Sequence, residues 1–475
     1  MKRFLATGLL ASAMLAGTAC SASVFEVPNY NSPTLTAATA NPVTVLPLLT
    51  ANILRDDRAG YTSFVLVTGI LGREAYNYVQ LENRNTTGYL GPTVLTNTSF
   101  GASALWGYWV YLRDIYQTRT VVNGAAAGLF TPAQLSATNG FLDTFEALEL
   151  LYAIDGRNQV GTPVQINADP VQLSPFVSRD SVFNYIVAKL TAAQTELAAG
   201  GTAFPFTLHS GYAGFNTPTT LATFTSGILA RVQAYRASLG AGGCAPLSAT
   251  CYQAVLTALQ SSWINLAGSL QTGPTEIYSA AAGDLLNGDN YAQSSHAVLA
   301  HYKSDSGVAV QANGKLDQRF LNKIISVPPV GCTSLTTCVV TTWAFNLWPT
   351  NTSPIPIMRN EELILLRAEA EYFTGDQANA LKDINLIRTT SGSLAARGAF
   401  TSQADFITEL LYNRRESLMF EGHQWIDKRR FGLLNTLPLD IPVDVIVDHL
   451  LIPQAECSIR VGAPAALAPP SNAGC

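Results

Sequence analysis

Hydrophobic positions recur with a helical period over most of the chain. In "TSFVLVTGILGREAYNYVQ", Phe64, Val67, Leu71, Ala75 and Tyr78 fall on one face, which predicts a helix within residues 43–79. Residues 81–104 are rich in Gly, Thr and Asn and read as a polar loop. Amphipathic runs follow in "ALWGYWVYLRDIYQTRTVV" and "NGFLDTFEALELLYAI". Ser178 or Asp180 is placed to cap the next run, in which Phe183, Ile186, Leu190 and Leu197 share a face. A further helix, "TTLATFTSGILARVQAYRASL", ends at the glycine-rich residues 240–243.

The period weakens over residues 244–350, where Gly, Ser, Asn and aromatics are scattered. Long irregular segments of this sort often carry binding groups. Helical spacing returns with Leu363, Leu366, Ala370 and Phe373, then with Ala380, Ile384 and Ile387, across a tight connection at Gly375 and Asp376. A hairpin of two amphipathic helices is the unit of tetratricopeptide-like solenoids. The expected fold is mainly all-α, a tetratricopeptide-like helical-hairpin scaffold with a loop-rich ligand-binding portion. Residues 43–243 form its N-terminal helical part, 244–350 an irregular insertion, and 351–475 a C-terminal helical region and tail.

"RRESLMFEGHQWIDKRRFG", from Arg414 to Gly432, concentrates charge in a chain with only 13% charged residues. The signs alternate through Arg414, Arg415, Glu416, Glu421, Asp427, Lys428, Arg429 and Arg430, which favours mutual salt bridging. A catalytic reading would pair Glu416, Glu421 and Asp427 with His423 as base. The neighbouring arginines would hold those carboxylates ionised and spoil a general acid. A metal site from Glu421, His423 and Asp427 fails because residues at i and i+2 do not share a helix face. The stretch therefore reads as scaffold.

The totals add limits. Of 475 residues, 48% are hydrophobic and the formal net charge is −5, which suits a folded chain with a large core. No basic block exists to neutralise a phosphate backbone, so nucleic acid is not an expected partner. Lys2 and Arg3 precede an apolar stretch from Phe4 to Ala16 and then "LAGTAC", a secretory signal over residues 1–19. Cys20 stands where a lipoprotein signal places its lipidated cysteine, although Gly17 occupies the usual Leu position; ordinary secretion with an incidental Cys20 is the alternative. Residues 20–42 then form the anchor and a tether. The other six cysteines fall into three local pairs, Cys244 with Cys251, Cys332 with Cys338, and Cys457 with Cys475. Fifteen connectivities are open, and these three need the least chain rearrangement in an exported, disulfide-permissive setting. No pair has CxxC spacing, which disfavours zinc.

"LILLRAEAEYFTGDQANALKDINLIR", the Arg414–Gly432 stretch and "LLIPQAE" together resemble the C-terminal signature of the SusD/RagB family. Asn385, Arg388, Arg414, Arg415, Glu416, Phe420, Glu421, Gly422, Trp425, Asp427, Arg429 and Arg430 match it. Ser417, Leu418, His423, Gln424 and Lys428 depart from it. Upstream pieces such as "VPNYNSPT", "EALELLYAI" and "LDQRF" resemble the family in order, over about residues 25–455. The resemblance implies a lipid-anchored outer-membrane protein facing the exterior, without catalysis, cofactor or metal. It implies capture of oligosaccharides, or alternatively peptides, by a protein that sits as a lid over a SusC-like TonB-dependent transporter. Sugars stack on aromatic rings and bond to amides and carboxylates. By family position, that points to Tyr89, Asn97, Trp106, Trp109, Tyr278, Asn290, Tyr291 and Trp348. The competing classes are an exported α/α glycoside hydrolase, which needs two carboxylates at a cleft, and a tetratricopeptide adaptor for proteins.

Overall fold

The structure is a computed structural model that describes residues 35–78, 84–91, 96–169, 171–289, 298–331 and 339–475. Its frame is a series of helices: α1 (Leu35–Ala40), α2 (Pro42–Leu71), α3 (Arg84–Leu90), α4 (Tyr108–Asn123), α5 (Pro132–Arg157), α6 (Arg179–Ala198), α7 (Pro218–Leu239) and α8 (Ala249–Gln260). After α9 (Gln318–Lys323) come α10 (Asn360–Phe373), α11 (Gln377–Thr390), α12 (Gln403–Ser417), α13 (Gln424–Arg430) and α14 (Gln454–Ile459). Each long helix packs on the next: α2 on α4, α4 on α5, α5 on α6, α6 on α7, α7 on α8, α8 on α10 and α10 on α11. The result is the mainly α, hairpin-stacked scaffold expected from the hydrophobic period.

Local chemistry sets the helix starts and stops. Thr131 and Gln134 close a capping box ahead of α5, with Pro132 at its first position. Ser178, not Asp180, caps α6 by accepting from the Ser181 N–H at 3.2 Å. Gly240 ends α7 in the left-handed conformation (φ 66°), which a side chain would strain.

Three expected boundaries differ. The tether read over 20–42 is helical from Leu35, and α2 already begins at Pro42. The first long helix stops at Leu71, not Val79, because Gly72 abuts the Trp425 backbone and Arg73 turns left-handed (φ 61°). Ala75–Asn77 then form β1, antiparallel to β3 (Val298–Ala300). Within the stretch read as irregular, α8 joins the helical stack and is stapled to the end of α7 by the Cys244–Cys251 disulfide. That stretch also carries short antiparallel pairs: β2 (Thr275–Glu276) with β6 (Ile355–Pro356), and β4 (Ile324–Val330) with β5 (Thr341–Phe345). Cys457 and Cys475 are bonded, whereas Cys20, Cys332 and Cys338 lie outside the described residues.

The charged stretch is a buried knot. Asp427 accepts from Arg414 Nε at 2.7 Å and from Arg430 Nε at 2.8 Å. Arg430 also forks onto Glu369, at 2.5 and 2.7 Å. Arg359 reaches Glu421 at 2.7 Å, and Arg231 holds Glu362 at 2.6 and 2.7 Å. Burial pushes the Asp427 carboxyl up, but Arg414 and Arg430 outweigh it and hold it below the ordinary range. His423 is kept neutral, its pKa driven well down by burial and then by Arg231 and Arg414. Trp425 fills the centre with no exposed surface. Phe420 turns left-handed (φ 56°), its N–H held by Glu74 at 2.9 Å and its ring stacked on Phe345 at 4.5 Å. Gly69 makes room for that ring: a Cβ there would stand 2.5 Å from it. The knot thus locks the end of α2 to the C-terminal helices and fixes the frame on which the hollows below are built.

Candidate ligand-binding site

Two hollows open on either side of one turn, residues 103–109. Phe100–Ser103 form a short 3-10 helix, and Leu105 is left-handed (φ 55°). Such a conformation is costly for a branched side chain and persists where surroundings hold it. Arg157 on α5 does so: its Nη2 donates to the Ala104 carbonyl at 2.8 Å, and its guanidinium lies 5.1 Å from the centre of the Trp106 ring. Gly156 lets Leu105 seat closely, since a Cβ there would stand 3.1 Å from Leu105 Cδ1. Burial lowers the Arg157 pKa to about 10, and no carboxylate answers it.

The first hollow, of about 370 Å³, lies between α2, α4 and α5. Each helix presents one face to it at helical spacing: Gly60, Ser63 and Val67 from α2, Tyr108 and Tyr111 from α4, Glu149, Tyr152 and Ala153 from α5. Tyr89 and Phe100 complete the wall, 6.3 Å apart and edge to face. The surface is aromatic with one carboxylate at its base. Glu149 is 2% exposed; among the described residues its Oε1 meets no donor and the Tyr152 hydroxyl has no partner. Behind Glu149 stand Asp57 and Glu276. Burial and mutual repulsion push Asp57 and Glu149 well above the carboxylate range, and burial pushes Glu276 to about 7.

The second hollow, of about 270 Å³, is lined by Trp106, Trp109, Arg113, Asn167, Gln172 and Ser174, and by Glu456, Ile459 and Arg460 of α14. Trp109 Nε1 is buried without a partner. Arg460 pairs with Glu456 at 2.7 Å and lies 4.6 Å from the centre of the Phe176 ring. The Cys457–Cys475 disulfide ties α14 to the C-terminal tail. A third hollow, of about 380 Å³, holds Arg73, Glu74, His301, Lys303, Arg415 and Lys428. Most of its charge is engaged within the fold: Arg73 on the carbonyls of Leu71, Pro438 and Val445, His301 on Asp440 at 2.5 Å, Arg415 on Glu416.

Of the residues expected to meet ligand, Tyr89 lines the first hollow, and Trp106 and Trp109 the second. Asn97 sits beside the second, its carbonyl accepting from Gln454 N–H at the start of α14. Tyr278 and Trp348 line neither. Tyr278 is 6% exposed with its hydroxyl 2.8 Å from Thr62 Oγ1, and Trp348 packs on Phe420 in the core. Asn290 and Tyr291 lie outside the described residues. Sequence reasoning missed Glu149, Tyr108, Tyr111 and Tyr152, and the whole contribution of α14. A signal existed for Glu149: Phe145, Tyr152 and Ala153 share its face one turn away, so a carboxylate there cannot be a solvated one.

Among the described residues no set of three His, Cys, Asp or Glu side chains could hold a metal ion, and no helix is long and apolar enough to cross a membrane. Residues 335–462 match the SusD family sequence model. No curated protein matches the chain by sequence. Among solved structures the fold is similar to B. fragilis NanU, with 14% identity and a TM-score of 0.61 over 91% of this chain and 98% of that one. It is also similar to a SusD superfamily protein from Bacteroides vulgatus, with 13% identity and a TM-score of 0.59 over 85% of this chain and 89% of that one. A second Bacteroides vulgatus structure, described as an outer membrane protein involved in nutrient binding, has 13% identity and a TM-score of 0.59, over 88% and 94%.

Proposed function

We propose, from the premise that this chain belongs to the SusD family, that it is a cell-surface lipoprotein of the outer membrane which captures oligosaccharides and delivers them to a SusC-like TonB-dependent transporter. Lipidation at Cys20 would tether it, outside the described residues. The observation that carries the reading is the pair of aromatic hollows flanking residues 103–109. Tyr and Trp faces suit the C–H faces of sugar rings, and the unpartnered Trp109 Nε1, Tyr152 hydroxyl and Glu149 Oε1 supply donors and acceptors for hydroxyls. The strained turn between them is held by Arg157, so the walls are set before ligand arrives, which lowers the entropy lost on binding.

Capture without turnover is favoured over hydrolysis. Glycoside hydrolysis needs two carboxyl groups across the scissile bond, at least ~5 Å apart. Each hollow offers one at its wall, Glu149 or Glu456. Asp57 adjoins Glu149 from behind and is not part of the hollow's wall, so it does not flank a sugar bond there.

The test is calorimetry and thermal shift on the soluble chain from Ser21 onward, against panels of oligosaccharides and peptides. Saturable binding of a glycan without product, weakened about tenfold or more by Trp109→Ala, supports the reading; one stacked ring contributes on the order of 1 kcal/mol or more. Release of shortened sugars would sink it.

A further inference from the structure

We propose that the hollow between α2, α4 and α5 selects ligands bearing a primary ammonium group, such as amino sugars, by seating that group against Glu149 among the rings of Tyr108, Tyr111 and Tyr152. The inference rests on the nutrient-capture reading and narrows its substrate class.

The first support is a charge imbalance beneath the hollow. Asp57, Glu149 and Glu276 are 1%, 2% and 0% exposed and adjoin one another. Among the described residues, both Asp57 oxygens, Glu149 Oε1 and Glu276 Oε2 are buried without a hydrogen-bond donor. The further contacts to the cluster are weak: the Tyr212 hydroxyl at 3.4 Å and His209 Nε2 at 3.5 Å, both on Glu276. Asp56 and Asp114 add two more carboxyls on α2 and α4, bonded to Asn52.

The nearby cations answer this only in part: Arg58 acts on Asp57 and Glu276 through space, but burial outweighs it. Arg58 turns to Asp284 at 2.8 Å and to the Ile277 carbonyl at 2.6 Å. Arg55 is solvated at 43% exposure, 3.8 Å from Asp56. Arg84 lies over Phe100, which removes that ring's face from the hollow. Burial and then Arg58 lower the His209 pKa to about 4, so the imidazole is neutral. Arg157 belongs to the turn. Acids crowded without a counter-charge stay buried only by holding protons, and a cation seated in the hollow can take the place of one such proton.

The second support is the shape of the wall. Tyrosine rings attract ammonium through their π faces, and the buried, unpartnered Tyr152 hydroxyl offers an acceptor. Gly60 keeps the space open: a Cβ there would stand 2.8 Å from Tyr111 Cε2 and 3.6 Å from Glu149 Oε2. An ammonium group brings three N–H donors and the missing positive charge. A neutral hydroxyl or acetamide brings donors alone. Seating the ammonium ionises Glu149, and the proton it shared with Asp57 leaves to solvent.

The test measures binding of a glucosamine trimer, its fully N-acetylated counterpart and a lysine tripeptide by calorimetry, in buffers of differing ionisation enthalpy. The free amine should bind about tenfold tighter than its acetylated twin, as charge-assisted bonds outweigh neutral ones, with proton release. Glu149→Gln should bring that ratio to about one. Ser63→Trp, at the exposed mouth, should abolish amine binding without touching the buried acids. Equal affinity for the two trimers overturns the amine preference and leaves nutrient capture standing. Amine binding that survives Ser63→Trp overturns the assigned place. Binding of the lysine tripeptide alone supports the preference and moves capture to peptides. No binding by any of the three, with another glycan of the wider panel bound, overturns the amine site and leaves nutrient capture standing.

Discussion

Two clusters of buried charge sit in this molecule and are built on opposite principles. In the knot around Asp427, each carboxylate meets a guanidinium at 2.5–2.8 Å, and Arg414, Arg430, Glu369 and Asp427 are all under 5% exposed. Beneath the first hollow, Asp57, Glu149 and Glu276 are equally buried but have chiefly one another. A buried ion pair is tolerated when its geometry repays desolvation; an unpaired charge neutralises instead. The knot therefore stays ionised and the triad holds protons. One is scaffold; the other is left, among the described residues, with little counter-charge.

Breaking the knot should have the largest effect. Arg430→Ala strands Glu369 and Asp427 and should cost about 3–5 kcal/mol in urea unfolding; a loss under 1 kcal/mol would mean the knot is not a structural unit. The same operation on the triad should carry the opposite sign. Glu149→Gln removes a repelling acid and gives Asp57 an N–H donor, so the melting temperature at pH 8 should rise, by roughly 1–2 kcal/mol of stability.

A pH series separates the clusters further. Carboxyls raised in the fold bind more protons folded than unfolded, so their contribution is complete below about pH 4.5 and is lost as pH rises through about 7 for Glu276 and about 8 for Glu74 and Asp289. Buried His209 and His423 act in the opposite sense, but below about pH 6.5, where unfolded histidine titrates. Stability should therefore fall from pH 6.5 to 8.5, and the Glu149→Gln/Glu276→Gln pair should flatten the fall. Asp427 is held low, so its contribution is present above about pH 4 and disappears only in acid. The smallest effect belongs to a network in which Arg119 also reaches both carboxylates and can hold them alone. Lys189, 21% exposed and 3.0 Å from both Asp143 and Glu146, should lose less than about 1 kcal/mol on replacement by Ala.

The sequence made the scaffold legible and hid most of the site, for identifiable reasons. Phe183, Ile186, Leu190 and Leu197 are all buried along α6, as their spacing requires. The alternating charges of 414–430 pair as their signs suggested. The helical period misleads at Ala75 and Tyr78, where two apolar residues fit it although Gly72 and Arg73 have already broken the helix. Trp106 and Trp109, expected from the loop after the first helices, do line a hollow of the candidate site. Trp348 carries the same expectation, yet it fills the space beside Phe420, and local sequence carries no sign of that distant neighbour. Glu149 was hidden because a lone acid in a helix ordinarily faces water. Its burial depends on α2, which ends at Leu71, and on Glu276, both distant from it and in opposite directions along the chain.

The hydrogen bond from the Phe420 N–H to Glu74 spans 346 residues, and β1 waits on β3 in the same way. At the pace of synthesis the chain needs roughly 20–70 s to make that interval. For that time the far end of the first long helix has no Phe420 ring to cover Gly69 and no strand to receive Ala75. Early folding of this region is thus deferred by the order in which its parts are born, and the end of the first long helix is closed only when nearly the whole chain has been made.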